Sequence, residues 1–94
     1  MLVEHAYLLV NEGLEDAFAA VMAEKALPLL KGLPGANAVS FGRGVESPDK
    51  FILLIEWQTM DAHIAFTKDP SFAEFRAMLA PFTKGGSMEH FTME

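Results

Sequence analysis

The chain has 94 residues, 51% of them hydrophobic, a formal net charge of -6 and no cysteine. The acidic balance argues against a nucleic-acid partner, because phosphate binding needs a basic face. The lack of cysteine excludes disulfides, thiolate metal sites and a cysteine nucleophile. We expect neither a signal peptide nor a membrane span, and therefore a cytoplasmic protein with no membrane partner.

The first elements predicted along the chain are a strand and a helix. Residues 2–10 have apolar side chains on both faces, which is typical of a strand covered on both sides. A helix is predicted from about Leu14, with Glu15 and Asp16 in its first turn, where acidic groups suit the helix dipole. Pro28 should kink or end this helix, because proline removes a hydrogen bond of the helix interior.

Two strands and two helices follow the turn GLPG at 32–35. The second strand is predicted at 36–46 and the third, FILLIEWQ, at 51–58. Thr59 suits the N-cap of a short helix. Asp69 and Pro70 then begin another helix, with aspartate at the cap and proline at the first helical position. Pro81 and the pair Gly85-Gly86 are predicted to end it, before a last strand at 88–93.

This order, β-α-β-β-α-α-β, predicts an α+β fold in one domain, residues 1–94. It is a ferredoxin-like split β-α-β pattern, in which an antiparallel sheet has its helices on one face. The other face of the sheet would be bare in a monomer. Since a chain this small is also rich in apolar residues, we expect two sheets to pack together in a homodimer.

Three residues in the second half are candidates for chemistry: Trp57, His63 and Arg76. Each lies in or near the predicted interior, and together they indicate a small-molecule pocket. Arg76 is four residues after Phe72 on the apolar stripe of its helix. Its alternatives are a snorkelling stem or an ion pair with an acidic neighbour, for which the sequence offers Glu74 and Glu89.

His63 is three residues before Phe66 and shares its helix face, where it could accept a phenolic proton. It could instead be a partly buried histidine bonded to a backbone carbonyl. Trp57 closes the third strand, and a core or lid role is its alternative.

A metal site is not expected. His5 and His90 lie in the first and last strands and could approach each other with a carboxylate nearby, but no HxH or HExxH spacing supports a metal centre. Glu4 is interpreted with other acidic residues of the N-terminal part as a solvated surface, the others being Glu12, Glu15 and Asp16.

The chain resembles the antibiotic biosynthesis monooxygenase family over nearly its whole length. The resemblance is carried by LPGANAVSFGRGVESPDKFILLIEWQTMDAHIAF, then DPSFAEFRAML and the closing EHF. Its marks are the Pro-Gly turn, the strand ending in Glu-Trp, the Ala-His step and the Phe-rich helix after Asp-Pro. The resemblance implies a dimeric α+β barrel of ferredoxin-like subunits.

The quinone-forming enzymes of that family suggest site residues here. Trp57 and Arg76 match their tryptophan and arginine, whereas His63 stands in place of a tyrosine and Leu53 in place of an asparagine. The haem-degrading members carry a tryptophan where this chain has Phe66, and a histidine where it has Arg76, so haem degradation is not expected. We expect the substrate pocket to include Phe66, Phe72 and Leu53.

The leading hypothesis is a cofactor-free monooxygenase of a small hydroxylated aromatic or quinone-like compound, with molecular oxygen as co-substrate. No sequence motif for a flavin or a metal is present, so the substrate itself must supply the electrons after losing a proton. His63 would take that proton and Arg76 would stabilise the anion. The alternatives are a non-enzymatic dimer that binds a small ligand, and an isomerase of a small oxygenated metabolite.

Overall fold

The computed structural model describes residues 1–94 as a four-stranded antiparallel sheet covered by helices on one face. The strand order is β2-β3-β1-β4, so the first strand is central and pairs with the third and the last. The α+β ferredoxin-like prediction is confirmed. The strands are β1 (Leu2–Val10), β2 (Ala36–Arg43), β3 (Lys50–Trp57) and β4 (Thr83–Thr92).

The helices come in two groups, one after β1 and one after β3. The first group is a continuous helical stretch made of α1 (Glu15–Val21), a π-helical segment (Met22–Ala26) and α2 (Leu27–Lys31). The second consists of α3 (Met60–Lys68) and α4 (Pro70–Leu79). None of these helices has the length and apolar character that crossing a membrane requires.

Pro28 neither ends the first helical stretch nor breaks it. It lies in the first turn of α2, directly after the π-helical segment, and the helix continues to Lys31. The Leu27 N–H bonds to the carbonyl of Met22, five residues earlier. This wider turn accommodates a residue that has no N–H and whose ring would press on the carbonyl four positions before it.

The last strand is longer than predicted, and the glycine pair belongs to it rather than to a helix end. Helix α4 ends at Leu79, and β4 already begins at Thr83. Gly85 and Gly86 lie inside β4, paired with β1. A Cβ at Gly86 would collide with the backbone carbonyl oxygen of Tyr7, so glycine is needed for the close approach of the two strands.

The second strand is shorter than predicted and ends at Arg43. The chain then turns, with the Gly44 N–H bonded to the Lys50 carbonyl and the Lys50 N–H bonded to the Ser47 carbonyl. A Cβ at Gly44 would collide with the Ser47 carbonyl oxygen. The turn therefore starts at this glycine, two residues before the predicted end at position 46.

Helices α3 and α4 begin where their capping residues predict. The Thr59 hydroxyl accepts a hydrogen bond of 3.2 Å from the Ala62 N–H, and the Asp69 carboxylate accepts one of 2.9 Å from the Ser71 N–H. Each cap satisfies a donor that the first turn leaves free. These two start points determine where His63 and Arg76 lie relative to the sheet.

The core lies between the sheet and the helices. Alternate residues of β3 are buried against the helices, while Ile52 and Leu54 lie on the opposite face and remain half-buried. This alternation is the period-two pattern of a strand. The largest fully buried side chains are Trp57, Phe18, Phe51, Met22, Leu30, Leu53, Ile55 and Val10.

Candidate active site

A buried carboxylate lies at the centre of the candidate site. Glu4 of β1 is only 6% exposed, so its interpretation as part of a solvated surface was wrong. In the sheet it lies between Ile55 of β3 and His90 of β4, on the face that the helices cover. Strand alternation therefore directs its side chain into the interior, where a carboxylate needs polar partners to offset the loss of water.

The direct hydrogen-bond donor to this carboxylate is an indole. Trp57 donates from Nε1 to Glu4 Oε1 over 3.0 Å, and both side chains are buried. The Trp57 ring is 1% exposed and meets the His63 ring edge-on at 5.6 Å between centroids. Trp57 thus joins the core packing to the polar site, and it holds the carboxylate in place.

Two imidazoles approach the same carboxylate oxygen. His63 comes from the first turn of α3, and its Nδ1 lies 3.1 Å from Glu4 Oε1. His90 comes from β4, and its Nε2 lies 3.5 Å from that oxygen. The two rings are 4.3 Å apart between centroids. Residues from three elements therefore form one compact group, which we call the Glu4–His63–His90 cluster.

The two imidazole nitrogens are near the carboxylate but lack well-directed hydrogen bonds. His63 Nδ1 and His90 Nε2 are both buried, and neither has a partner in acceptable hydrogen-bond geometry. The short separation at His63 is thus an electrostatic contact rather than a directed bond. Unpartnered buried nitrogens are uncommon in proteins and call for an explanation.

Burial favours the neutral form of His63. Loss of water lowers the pKa of His63 below its usual 6.5, the Glu4 carboxylate opposes this, and the neighbouring His90 lowers it further. The net direction is downward. A histidine whose pKa lies below its ordinary value is largely neutral at pH 7, so it can accept a proton.

A cavity of about 340 Å³ opens beside the cluster. Its wall includes Glu4, His63 and Arg76. The remaining lining is mainly apolar and includes Leu53, Phe66 and Phe72. The structure thus places five of the six predicted site residues around a single cavity, and Trp57 lies behind Glu4 instead of in the wall.

Arg76 is an exposed residue in the lining of this cavity. Its guanidinium is 5.7 Å from the centre of the Phe72 ring, in a cation–π contact. It forms no ion pair, so the alternative pairing with Glu74 or Glu89 is not found. The guanidinium donors are therefore free to meet an anion in the cavity.

A larger depression of about 710 Å³ lies along α4 and shares Arg76 with the smaller cavity. Its lining consists of small and aliphatic residues, Arg76 and Thr83, and it includes no member of the Glu4–His63–His90 cluster. The smaller cavity is the better candidate because it combines apolar walls with convergent polar groups.

Sequence reasoning placed Glu4 on the surface, and it considered His90 beside His5 instead of beside Glu4. A signal existed for Glu4, since it is two residues before Ala6 and shares its side of β1. For His90 the pairing of the first and last strands was considered, but the register that places it opposite Glu4 was not. His5, which was considered with His90, lies elsewhere and packs against Phe91 at 4.9 Å between rings.

Comparison with known proteins agrees with the fold. The model of the antibiotic biosynthesis monooxygenase family matches residues 1–78. An uncharacterized protein of Bacillus subtilis (strain 168), YczJ, is 33% identical over 93 residues, which is 97% of each chain. The chain belongs to the antibiotic biosynthesis monooxygenase family.

Solved structures resemble this family member over almost its whole length. A putative antibiotic biosynthesis monooxygenase from Bordetella bronchiseptica is 28% identical, with a TM-score of 0.91 covering 99% of this chain and 96% of that one. SnoaB, a cofactor-independent oxygenase from Streptomyces nogalater, is 18% identical, with a TM-score of 0.84 covering 99% and 92%. The likeness to SnoaB concerns the fold alone.

Proposed function

We propose that this protein is a cofactor-independent monooxygenase of a small hydroxylated aromatic or quinone-like compound. The observation that carries the proposal is the cavity in which a largely neutral histidine, backed by a buried carboxylate, shares the wall with an unpaired arginine. Family membership supports oxygenase chemistry on a small molecule. The volume of about 340 Å³ suits a compact ligand and lies at the low end of the range for small-molecule sites.

The proposed reaction begins with proton removal. His63 accepts the proton of a substrate hydroxyl or of an activated carbon beside the aromatic system. The resulting anion is electron-rich, and the Arg76 guanidinium stabilises its negative charge. Glu4 offsets the positive charge that His63 gains, so the proton transfer separates less charge in the low-dielectric interior.

The oxidation then proceeds with dioxygen as the only oxidant. The substrate anion transfers an electron to dioxygen, and recombination forms a carbon–oxygen bond to a peroxide. Loss of water from the peroxide leaves a carbonyl. For a CH₂ carbon the balance is CH₂ + O₂ → C=O + H₂O, so no external reductant is needed. The apolar side chains Leu53, Phe66 and Phe72 keep water away from the anion.

The decisive experiment is oxygen uptake with a panel of hydroquinones and anthrones, with chelator present and no added flavin. We expect turnover, with one atom of labelled dioxygen retained in the product. His63→Phe should slow turnover by ~10²–10⁴-fold, the usual contribution of a general base. His5→Phe is the matched control, because His5 lies away from the cavity and beside Phe91, and it should retain the activity.

Two other outcomes would redirect the assignment. Tight binding of these compounds without oxygen uptake would indicate a non-enzymatic ligand-binding protein. Solvent-proton exchange into a substrate without oxygen uptake would indicate an isomerase, since the same base could move a proton between two carbons. Either result would overturn the monooxygenase proposal.

A further inference from the structure

The Glu4–His63–His90 cluster has the composition and spacing of a metal site. One carboxylate oxygen and one nitrogen from each imidazole all lie within 4.8 Å of one another. The separations from Glu4 Oε1 are 3.1 Å to His63 Nδ1 and 3.5 Å to His90 Nε2. A tetrahedral ion with bonds of about 2.0–2.1 Å has ligand atoms about 3.3–3.4 Å apart, so the two separations from Glu4 are already close to those of a bound ion.

The hydrogen bonding of the cluster points to a missing partner. His63 Nδ1 and His90 Nε2 are buried, face the same carboxylate oxygen, and have no hydrogen-bond partner. A proton on either nitrogen would not make a good hydrogen bond to the carboxylate oxygen, because neither contact has hydrogen-bond geometry. A cation between the three atoms would use both nitrogen lone pairs and would neutralise the buried carboxylate. We infer that Glu4, His63 and His90 bind one divalent transition-metal ion of the Zn²⁺ type.

The surroundings of the cluster suit such an ion. Trp57 donates a hydrogen bond to Glu4 Oε1 and so orients the carboxylate from outside the cluster, as outer partners do at metal sites. Two imidazoles and one carboxylate favour zinc or its neighbours over calcium and magnesium, which require more oxygen ligands. Three protein ligands leave a fourth position, and Glu4 and His63 both line the cavity from which a water could reach it.

Metal binding and the proposed base role use the same histidine. A cation on His63 Nδ1 replaces the favourable contact between that nitrogen and Glu4, and a metal-bound His63 is a poor proton acceptor. The inference does not depend on the proposed function, because it is tested by direct binding to chelator-treated protein. The oxygen-uptake experiment, in contrast, is carried out with chelator present.

The test uses Co²⁺ and Zn²⁺ with the chelator-treated protein. We expect one ion per chain by calorimetry, and the intense visible absorption of a four-coordinate Co²⁺ ion. His90→Gln should weaken Zn²⁺ binding by more than the ~10–100-fold typical of losing an outer partner, since it removes a ligand. Glu4→Gln should do the same and serves as the second variant if His90→Gln does not fold. Trp57→Phe should weaken binding by ~10–100-fold.

His5→Gln is the matched control, since His5 is the remaining histidine of the chain and is not part of the cluster. It should bind Zn²⁺ like the unaltered protein. The inference is overturned by no saturable binding of either ion, by binding that survives both His90→Gln and Glu4→Gln, or by an equal loss of affinity in His5→Gln. A Co²⁺ spectrum typical of six-coordination by water would also contradict it.

Discussion

Glu4 Oε1 and His63 Nδ1 lie 3.1 Å apart inside the protein, on side chains that are each 8% exposed. The two residues come from the first strand and from the helix that follows the third strand. Their contact has two opposing consequences for His63. The carboxylate favours the protonated imidazole, whereas burial favours the neutral one, and the effect of burial on the pKa is larger.

The first prediction concerns Glu4→Gln, which keeps the shape of the side chain and removes its charge. Because Glu4 raises the pKa of His63, the substitution should lower that pKa further. The ascending limb of the pH–rate profile should therefore move to lower pH, and the rate should fall ~10-fold or more as the base loses part of its ~10²–10⁴-fold contribution. Steady-state kinetics across the pH range measures both effects. An unmoved limb would mean that Glu4 only fills space.

The second prediction concerns stability and acid. The pKa of His63 is lower in the folded protein than its usual 6.5, so the unfolded chain binds more protons as the pH falls through this window. Stability from His63 is therefore fully present above about pH 6.5 and declines below it, by at most ~1.4 kcal/mol per pH unit for one group. Urea unfolding between pH 5 and 8 measures the slope.

His63→Phe provides the comparison for that slope. The ring of phenylalanine does not titrate, so the variant should lose the part of the pH dependence that comes from His63. His5→Phe keeps His63 and should retain the slope of the unaltered protein. Equal slopes in the unaltered protein and in His63→Phe would show that other groups cause the acid sensitivity.

The third prediction concerns Arg76→Met. If the guanidinium stabilises a substrate anion, its loss should reduce turnover by ~100-fold or more, comparable to the loss of an oxyanion donor. Thermal stability should change little, because Arg76 is exposed and forms no ion pair. Oxygen uptake and a melting curve measure the two quantities on the same sample.

Arg43 is the matched control for this substitution, since it is the other arginine of the chain. It pairs with Asp16 at 2.9 Å on the surface and lies outside the 340 Å³ cavity. Arg43→Met should leave turnover unchanged. Full activity in Arg76→Met would show that Arg76 does not stabilise a substrate anion and only makes the cation–π contact with Phe72.

The fourth prediction concerns assembly. The sheet face opposite the helices carries Ile52 and Leu54, and strand pairing places Tyr7 beside Ile52 on it. We propose that this face packs against a second copy, with a total buried area on the order of 2,000 Å² or more. Sedimentation at micromolar concentration should give a homodimer, and Leu54→Glu should give monomers or unfolded protein.

Ile64→Glu is the control for the assembly prediction. Ile64 is 42% exposed on α3, away from the open sheet face, so the same charge there should leave the dimer intact. A stable folded monomer of the unaltered protein would end the dimer proposal. So would a dimer that Leu54→Glu does not weaken.

The order of the elements could be predicted from the sequence because it depends on local signals. Apolar alternation, the caps at Thr59 and Asp69 and the turn glycines act over a few residues, and the first strand was predicted with its observed bounds. Pro28 does not end its helix, and the Gly85–Gly86 pair lies inside a strand instead of at a helix end, for a related reason. The helix continues through Pro28 because a π-helical segment precedes it, and Gly86 is needed because β1 approaches it closely. Neither the π-helical segment nor the strand pairing can be predicted from the adjacent residues alone.

The chemistry of the cavity was only partly accessible from the sequence. His63 and Arg76 could be selected because a polar residue on an apolar helix face breaks a pattern that is visible in the chain. Glu4 and His90 break no such pattern, and they are 86 positions apart in a chain where β1 could pair with any other strand. Their meeting follows from the placement of β4 beside β1, which positions His90 opposite Glu4.

The sequence by itself determined the family, the fold class and the two helix residues that face the cavity. The tertiary structure alone decided that a carboxylate is buried between two imidazoles and an indole. The physical reason is that secondary structure depends on neighbours along the chain, whereas the environment of a titratable group depends on strand register and helix packing. Strand register and helix packing bring together residues from four separate elements, and burial then favours the neutral form of His63.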